Sequence, residues 1–307
     1  NSRAILVVLL LVVYCFAFQG YRGLFEPDEG RYSAVALQMI KSHDWLHPRT
    51  HPDHEHWTKP PLTYWAIAGS LLTFGRNEFA VRFPNAFSFL ICIVACFYLG
   101  KIFTPKRPWL VSLIFGTFLF PATVCNGATT DYPVTMWETL AVCFFVHAYW
   151  GKKDSQQLIL TWLMWAFFGL AFLTKGPPGI LPLLSIIIFL QLKSSKARYF
   201  NMRWLSGLLV MLVIGGSWYS TVIFQNQDLV RYFLWDEVIL RFFTGHHERH
   251  SQWYAFLYIY VPVLALGSVP WSLYMGKGLV QSFETFKGSA KSDFSEEHRQ
   301  YLFLMLW

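Results

Sequence analysis

Two carboxylates, an arginine and a tyrosine lie close together near the start of the chain, in Asp28-Glu-Gly-Arg-Tyr32. Pro27 before them is typical of a helix start, and acidic residues in a first turn suit the helix dipole. Spacings of three and four residues then put Asp28, Arg31 and Tyr32 on one helix face. This face is a candidate for binding a polar group, and the alternative is a helix cap with a local salt bridge.

A second basic group stands directly before two prolines, in Trp57-Thr-Lys-Pro-Pro-Leu-Thr-Tyr-Trp65. The prolines favour a rigid, extended backbone at Lys59, and aromatic residues anchor segments at a membrane interface. A lysine held at the boundary between water and lipid suits the phosphate of a lipid carrier. The alternative is a lysine that merely extends its side chain from the apolar surface to water.

The composition indicates what kind of scaffold positions these residues. The 307-residue chain is 54% hydrophobic, 19% aromatic and only 14% charged, whereas globular chains are about a quarter charged. These values indicate an all-α polytopic membrane protein. The net charge of +7 does not indicate a nucleic-acid partner, because the basic residues are dispersed between apolar runs and the sequence holds no nucleic-acid-binding motif.

Apolar runs of roughly the length that crosses a bilayer, about 20 residues, predict eight spans. They lie near 4–18, 81–100, 108–125, 133–150, 157–174, 178–192, 204–224 and 254–275. The segment 62–75 is also apolar but short for a span, so we predict a helix lying in the membrane interface. Tyr32, Val35, Ala36 and Met39 recur at helical spacing and predict a second, amphipathic surface helix.

The distribution of charged residues among the loops supports this assignment of spans and interfacial helices. The loops on one side carry thirteen Lys and Arg against five acidic residues, which makes that side cytoplasmic by the positive-inside rule. Of the loops on the other side, 19–80 carries six basic against seven acidic residues, and 225–253 is a second long loop. Ionisable residues from several loops meet on this outer side and suggest a shared site. They are Asp28, Glu29, Arg31, Lys59, Asp131, Lys175, Glu237 and Arg241.

Several motifs, in their order along the chain, resemble those of one superfamily. They are Asp28-Glu-Gly-Arg-Tyr32, Asp44-Trp-Leu46, Lys59-Pro-Pro-Leu-Thr-Tyr-Trp65, Phe79-Ala-Val-Arg-Phe-Pro84, Thr130-Asp-Tyr-Pro133, Leu173-Thr-Lys-Gly-Pro-Pro-Gly179, Glu237-Val-Ile-Leu-Arg-Phe242 and Val269-Pro-Trp271. In these motifs the chain is similar to the 4-amino-4-deoxy-L-arabinose transferases and protein O-mannosyltransferases, which are GT-C glycosyltransferases. The resemblance implies a GT-C type transmembrane bundle and an inverting transfer of a sugar from an undecaprenyl- or dolichyl-phosphate donor to an acceptor on the outer face.

The resemblance also implies roles for the matching residues. Asp28 is then the candidate base or the carboxylate that orients the acceptor, and Asp131 is a second candidate catalytic carboxylate. The residues implied in binding the donor phosphate are Arg31, Tyr32, Lys59, Lys175 and Arg241. Glu29, Tyr64 and Glu237 are implied as further pocket residues.

One position departs from the family pattern. In the aminoarabinose branch a Glu commonly precedes the Lys-Pro-Pro motif and is associated with a metal site, whereas Thr58 stands there in this chain. Glu55 and His56 nearby, with His247 and His250 in the later loop, offer a replacement zinc site. Histidine-rich loops in water usually bind no specific ion, so no cofactor is predicted as required.

Other classes of function stay open at this point. A polytopic transporter or flippase of lipid-linked substrates predicts charges near mid-span and inverted repeats, whereas Glu138 and His147 are the main polar exceptions in the spans. An assembly subunit without catalysis is a third alternative. If the protein is a transferase, its acceptor is lipid A, another glycan or a protein.

The expected setting follows from the family. Family members continue into more spans and a C-terminal extracytoplasmic domain, and the first apolar run resembles a clipped span. We therefore expect residues 1–307 to be the N-terminal transmembrane catalytic module of a longer protein. The expected location is a bacterial inner membrane, with the active site facing the periplasm.

Overall fold

The structure, a computed structural model, is a bundle of helices, as the composition predicts. It describes residues 2–151, 154–192, 200–240, 254–272, 274, 276–278, 280, 299–300 and 302–304. The α-helices are α1 (Ser2–Phe16), α2 (Asp28–Ser42), α3 (Leu62–Phe74), α4 (Glu78–Phe103), α5 (Trp109–Gly116), α6 (Leu119–Val124), α7 (Asp131–Trp150), α8 (Asp154–Lys175), α9 (Leu181–Gln191), α10 (Trp204–Gln225), α11 (Asp228–Arg231) and α12 (Ala255–Gly267). Antiparallel strands β1 (Arg49–His51) and β2 (His54–Glu55), a 3₁₀ turn (Pro177–Ile180) and a π-helix (Tyr232–Leu240) complete it.

Three described helices are long and apolar enough to cross a bilayer. They are Glu78–Phe103, Gln156–Lys175 and Trp204–Gln225, and shorter apolar helices include Leu62–Phe74, Pro177–Gln191 and Leu257–Gly267. Each of the eight predicted span ranges overlaps at least one helix. The range 108–125 holds two, α5 and α6, because the backbone at Phe118 is extended. The number of spans stays a prediction.

Helices α2 and α3 pack beside the start of α4. The predicted amphipathic pattern of α2 is confirmed, because Tyr32, Val35, Ala36 and Met39 are buried. They form a cluster with side chains of α3 and α4 that include Tyr64. At a rise of about 1.5 Å per residue, the 13 residues of α3 extend about 20 Å, less than a hydrocarbon core of about 30 Å.

The centre of the bundle is formed by α4, α7, α8 and α10, which pack side by side. Large buried side chains such as Phe145, Trp165 and Phe168 fill the space between them. Small residues bring α8 and α10 together, since a Cβ at Gly215 would lie 2.9 Å from the carbonyl oxygen of Gly169. Such close approach of backbones is how small residues join membrane helices.

The two ends of this bundle differ in charge. Helix α7 begins at Asp131 and α8 ends at Lys175, and an ion pair between these residues puts both at one end. The other end carries Lys101, Lys106 and Arg107 around the turn between α4 and α5. The positive-inside rule predicts that this second end faces the cytoplasm.

A turn at Asp44 fastens the segment between α2 and α3 to the bundle. The Asp44 carboxylate accepts a hydrogen bond from the backbone N–H of Leu46 at 3.1 Å. Two indoles then bind carbonyl groups of this turn. Nε1 of Trp65 donates to the carbonyl of Trp45 at 2.7 Å, and Nε1 of Trp218 donates to that of Leu46 at 2.8 Å. The loop is thereby held against α3 and α10.

Candidate active site

A cavity of about 500 Å³ lies between the segment just before α3, the end of α8, α10 and the π-helix. Three predicted site residues line it: Lys59, Lys175 and Glu237. Much of the remaining wall is aromatic or aliphatic and includes Trp57, Phe172, Tyr219, Ile223, Phe233 and Leu234. The cavity therefore combines two cations and a carboxylate with an extended apolar wall.

Lys175 is the last residue of α8, where a cation suits the helix dipole. The following residue, Gly176, has a φ of +73°, a backbone conformation that residues with a side chain rarely adopt. Pro177 then begins the 3₁₀ turn. The helix thus ends at the cavity, and the Lys175 ammonium group pairs there with the Asp131 carboxylate.

Lys59 is fixed by its neighbours on both sides. Trp57 packs against Trp218 and Phe233, with ring centroids 5.9 and 6.4 Å apart. Pro61, two residues after the lysine, is the N-cap of α3. The backbone of Lys59 therefore runs between an aromatic anchor and a helix start, and its half-buried side chain lines the cavity.

Glu237 projects from the π-helix to the same cavity. The hydroxyl group of Tyr232 donates a hydrogen bond to Oε1 of Glu237 at 3.0 Å. This bond orients the carboxylate. Tyr232 is one of the site residues that the sequence did not identify.

Asp28 and Arg31 lie on the first turn of α2 and do not belong to the described lining of the cavity. The predicted helix start is confirmed, because α2 begins at Asp28 with Pro27 as its N-cap. The guanidinium group of Arg31 pairs with the Asp28 carboxylate and lies 5.7 Å from the ring of Tyr32. The local salt bridge is therefore present, and the Asp28 side chain keeps 53% of its surface exposed.

His56 connects this ion pair with the cavity. Its ring centroid lies 6.4 Å from that of Tyr64. The charges of Arg31, Lys59 and Glu237 are close enough to change its pKa. Burial, followed by the neighbouring cations, lowers the pKa of His56 to about 4. The imidazole is therefore neutral at physiological pH, and its Nε2 lies 2.8 Å from the hydroxyl oxygen of Thr58.

Two tyrosines from different helices lie next to His56. The rings of Tyr32 and Tyr64 are 5.7 Å apart, and burial raises the pKa of both hydroxyl groups. Both therefore stay protonated at neutral pH. Tyr32 also interacts with the Thr130 hydroxyl, next to Asp131. The fully buried hydroxyl of Tyr64 has no hydrogen-bond partner in the described part of the chain.

Glu29, a predicted pocket residue, does not belong to the described lining of the cavity. It is only 4% exposed and forms an ion pair with Arg82 of α4, with 2.8 Å between Oε1 and Nε. Burial by itself would raise the pKa of Glu29, but hydrogen bonds from Arg82, Arg22 and the Phe25 N–H lower it to about 2. The sequence did not single out Arg82, although an arginine at the start of an apolar span signals a buried partner.

The described residues do not assemble the suggested zinc site. No group of three or more His, Cys, Asp or Glu side chains with metal-binding geometry occurs among them. Glu55 accepts hydrogen bonds from Trp57 and Arg49 at 2.9 and 3.4 Å, so both carboxylate oxygens are engaged. His56 faces Thr58, as given above. His247 and His250 lie outside the described residues, as does Arg241.

Known proteins are similar to most of this chain. The undecaprenyl phosphate-alpha-4-amino-4-deoxy-L-arabinose arabinosyl transferase of Shewanella sediminis is 30% identical over 273 residues, which cover 88% of this chain and 49% of the relative. A second such transferase, from Proteus mirabilis, is 30% identical over 288 residues, which again cover 88% of this chain and 49% of the relative. The chain therefore spans about half the length of these curated relatives.

A solved structure shares the fold. The crystal structure of ArnT from Cupriavidus metallidurans bound to undecaprenyl phosphate matches 100% of this chain and 54% of ArnT, with a TM-score of 0.86 and 22% identity. This likeness confirms the predicted GT-C type membrane fold. Residues 58–219, more than half of the chain, match the family described as dolichyl-phosphate-mannose-protein mannosyltransferase. The predicted resemblance is confirmed, and the chain belongs to the dolichyl-phosphate-mannose-protein mannosyltransferase family.

Proposed function

We propose that this chain is the membrane-embedded catalytic module of a glycosyltransferase that uses a polyprenyl-phosphate sugar as donor. The observation that carries the proposal is the cavity in which Lys59 and Lys175 lie beside an apolar wall. A lipid phosphate has the matching chemistry, because its hydrocarbon chain suits the apolar wall and its phosphate suits the cations. The names of the bacterial relatives specify an undecaprenyl phosphate sugar, which supports this class of donor.

The reaction is a single inverting displacement. The acceptor oxygen forms a bond to the anomeric carbon while the bond from that carbon to the phosphate oxygen breaks, and the electron pair leaves with the phosphate. Lys59 and Lys175 stabilise this charge, with Arg31 and Arg241 as further cations. If the acceptor is a hydroxyl group, Asp28 takes up its proton, whereas an acceptor that is already an anion needs no base.

The remaining predicted residues shape the site. Tyr32 and Tyr64 keep protonated hydroxyl groups beside Arg31, and Glu237 places a carboxylate among the cations. Asp131 pairs with Lys175 and so controls where its charge lies. The acceptor is lipid A, another glycan or a protein, and the site faces the outer side of a bacterial inner membrane.

The experiment uses the full-length protein in lipid nanodiscs. It is supplied with undecaprenyl phosphate-linked 4-amino-4-deoxy-L-arabinose or mannose and with lipid A, and products are measured by mass spectrometry. We expect Lys59→Gln to slow transfer ten- to a hundredfold, because a charge-assisted contact to phosphate is lost. Arg31→Lys should retain part of the activity, since a lysine lacks the bidentate fork.

Lys106→Gln is the matched control, because this exposed lysine lies at the opposite end of the bundle. Its activity should equal that of the wild type. Full activity in both Lys59→Gln and Lys175→Gln would contradict the phosphate role of the cavity. Movement of the lipid-linked sugar across proteoliposomes without any transfer would favour the transporter instead.

The membrane side is tested by labelling. Cysteines that replace the exposed His51 and Lys106 should differ in their reaction with an impermeant thiol reagent added outside spheroplasts. The reagent should label the cysteine at position 51 only. The five cysteines within residues 1–307 are buried, so they add little background. Labelling at position 106 alone would invert the proposed orientation.

A further inference from the structure

Arg82 uses every N–H of its guanidinium group inside the protein. Its side chain is 0% exposed, and its Nε and one terminal nitrogen donate to the two carboxylate oxygens of Glu29 at 2.8 and 3.0 Å. The other three bonds go to the backbone carbonyls of Gln19, Arg22 and Gly23, at 2.7, 3.0 and 2.8 Å. The residue thus binds α4 to the chain segment that leads from α1 to α2.

Glu29 extends the same network to a third segment. Its carboxylate accepts hydrogen bonds from the backbone N–H of Phe25 at 2.7 Å and of Ala128 at 3.1 Å. Arg22 adds a bond to Glu29 at 2.6 Å and another to the carbonyl of Asn126 at 2.8 Å. The ion pair therefore joins the start of α2, the start of α4 and the loop before α7.

Both candidate catalytic carboxylates lie close to this network along the chain. Asp28 precedes Glu29 in the chain. Asp131 follows Ala128 by three residues, and its backbone N–H donates to the hydroxyl oxygen of Thr129 at 3.2 Å. The network therefore joins the two chain segments that carry these carboxylates on different helices, beside the contact between Tyr32 and the Thr130 hydroxyl.

We propose that Glu29 and Arg82 are positioning residues for the sugar transfer, which fix Asp28 and Asp131 relative to each other without touching the substrate. The inference rests on the proposed function. Apolar residues that pack well usually stabilise a protein as much as a buried ion pair does, so stability alone does not call for this arrangement. The ion pair differs from apolar packing because its hydrogen bonds are directional. The planar fork of an arginine fixes the positions of several partners at once.

Catalysis is sensitive to small changes of position, since a displacement of about 1 Å costs roughly a hundredfold in rate. Glu29→Asp keeps the charge but shortens the side chain by one methylene group. We expect kcat to fall ten- to a hundredfold, with the donor KM within threefold of the wild type and the protein still folded. Arg82→Lys, which loses the fork, should lower kcat at least as far.

Glu78→Asp is the matched control, because it makes the same chemical change at the half-buried first residue of α4. Its kcat should be that of the wild type. If Glu29→Asp does not fold, Arg22→Gln replaces it, since Arg22 lies at the partly exposed rim and its loss leaves the ion pair of Glu29 and Arg82 intact. A three- to tenfold fall in kcat is then expected.

The outcomes separate the two proposals. A wild-type kcat in folded Glu29→Asp, or in Arg22→Gln when that variant replaces it, would overturn the positioning role and leave the proposed function standing. A fall in the yield or melting temperature of Glu29→Asp, with unchanged kcat per folded molecule, would identify a merely structural pair. Absence of transfer by the wild type, with either donor, would overturn the proposed function and the positioning role with it.

Discussion

Lys175 at the end of α8 and Asp131 at the start of α7 form an ion pair at the edge of the cavity. Asp28 and Arg31 form a second such pair on α2. In each pair a candidate phosphate-binding cation holds a candidate catalytic carboxylate. A phosphate that enters the cavity therefore competes with Asp131 for Lys175.

This competition makes the two partners of the first pair distinguishable. Asp131→Asn should bind undecaprenyl phosphate two- to fivefold more tightly, because an exposed ion pair of up to about 1 kcal/mol no longer opposes binding. Lys175→Gln should bind it ten- to a hundredfold more weakly. Titration of the purified protein by tryptophan fluorescence measures both constants, and Trp57 in the cavity wall contributes to the change in signal. Equal weakening by both variants would contradict the competition.

Asp28 is tested by a nearly isosteric change. Asp28→Asn cannot accept a proton, so turnover with a hydroxyl acceptor should fall by roughly 10²–10⁴ while donor binding is retained. Steady-state transfer assays at matched protein levels measure the effect. Glu26→Gln, which alters an exposed neighbouring acid, serves as the control. Near-normal turnover of Asp28→Asn would mean that the acceptor is already an anion or that Asp28 only pairs with Arg31.

Gly216 provides a test of the apolar wall. It lines the cavity, and a Cβ placed there would have no neighbouring atom within 4 Å. Gly216→Phe should therefore place its ring in the proposed lipid-binding space and raise the donor KM at least tenfold, while the melting temperature stays within a few degrees. Gly69→Phe is the control, since this glycine in α3 is equally open but lies away from the cavity. Equal donor KM values for both variants would place the lipid chain elsewhere.

Much of this fold was predictable because membrane helices follow composition and hydrophobic run length. The break between α5 and α6 was not, because Thr117 and Phe118 interrupt the helix without interrupting the apolar run. The side of the membrane on which each candidate site residue lies was also predicted, from the charge of the loops. Which residues pair across that side depends on helix packing, and the ion pair of Lys175 and Asp131 joins positions 44 residues apart.

The adjacent acids Asp28 and Glu29 show where sequence patterns stop being sufficient. Each lies seven residues before a buried position of α2, Val35 or Ala36, so helical periodicity does not tell which acid turns inward. Which acid is buried depends on its ion-pair partner, and Arg82 is 53 residues away in the sequence. Only the assembled structure therefore separates an exposed carboxylate that can meet a substrate from a buried one that joins three segments.

The neutral His56 makes the stability of the protein depend on pH. Its pKa of about 4 in the folded protein lies below the unperturbed value of about 6.5, so the unfolded chain binds an extra proton between these values. The stabilisation is complete above pH 6.5 and is lost as the pH falls towards 4, by up to about 3 kcal/mol. Melting temperatures of the purified protein in detergent should therefore drop across this window. His56→Gln should flatten the drop, whereas His51→Gln, at an exposed position of β1, should leave it unchanged. An equally steep drop in His56→Gln would assign the pH dependence to another group.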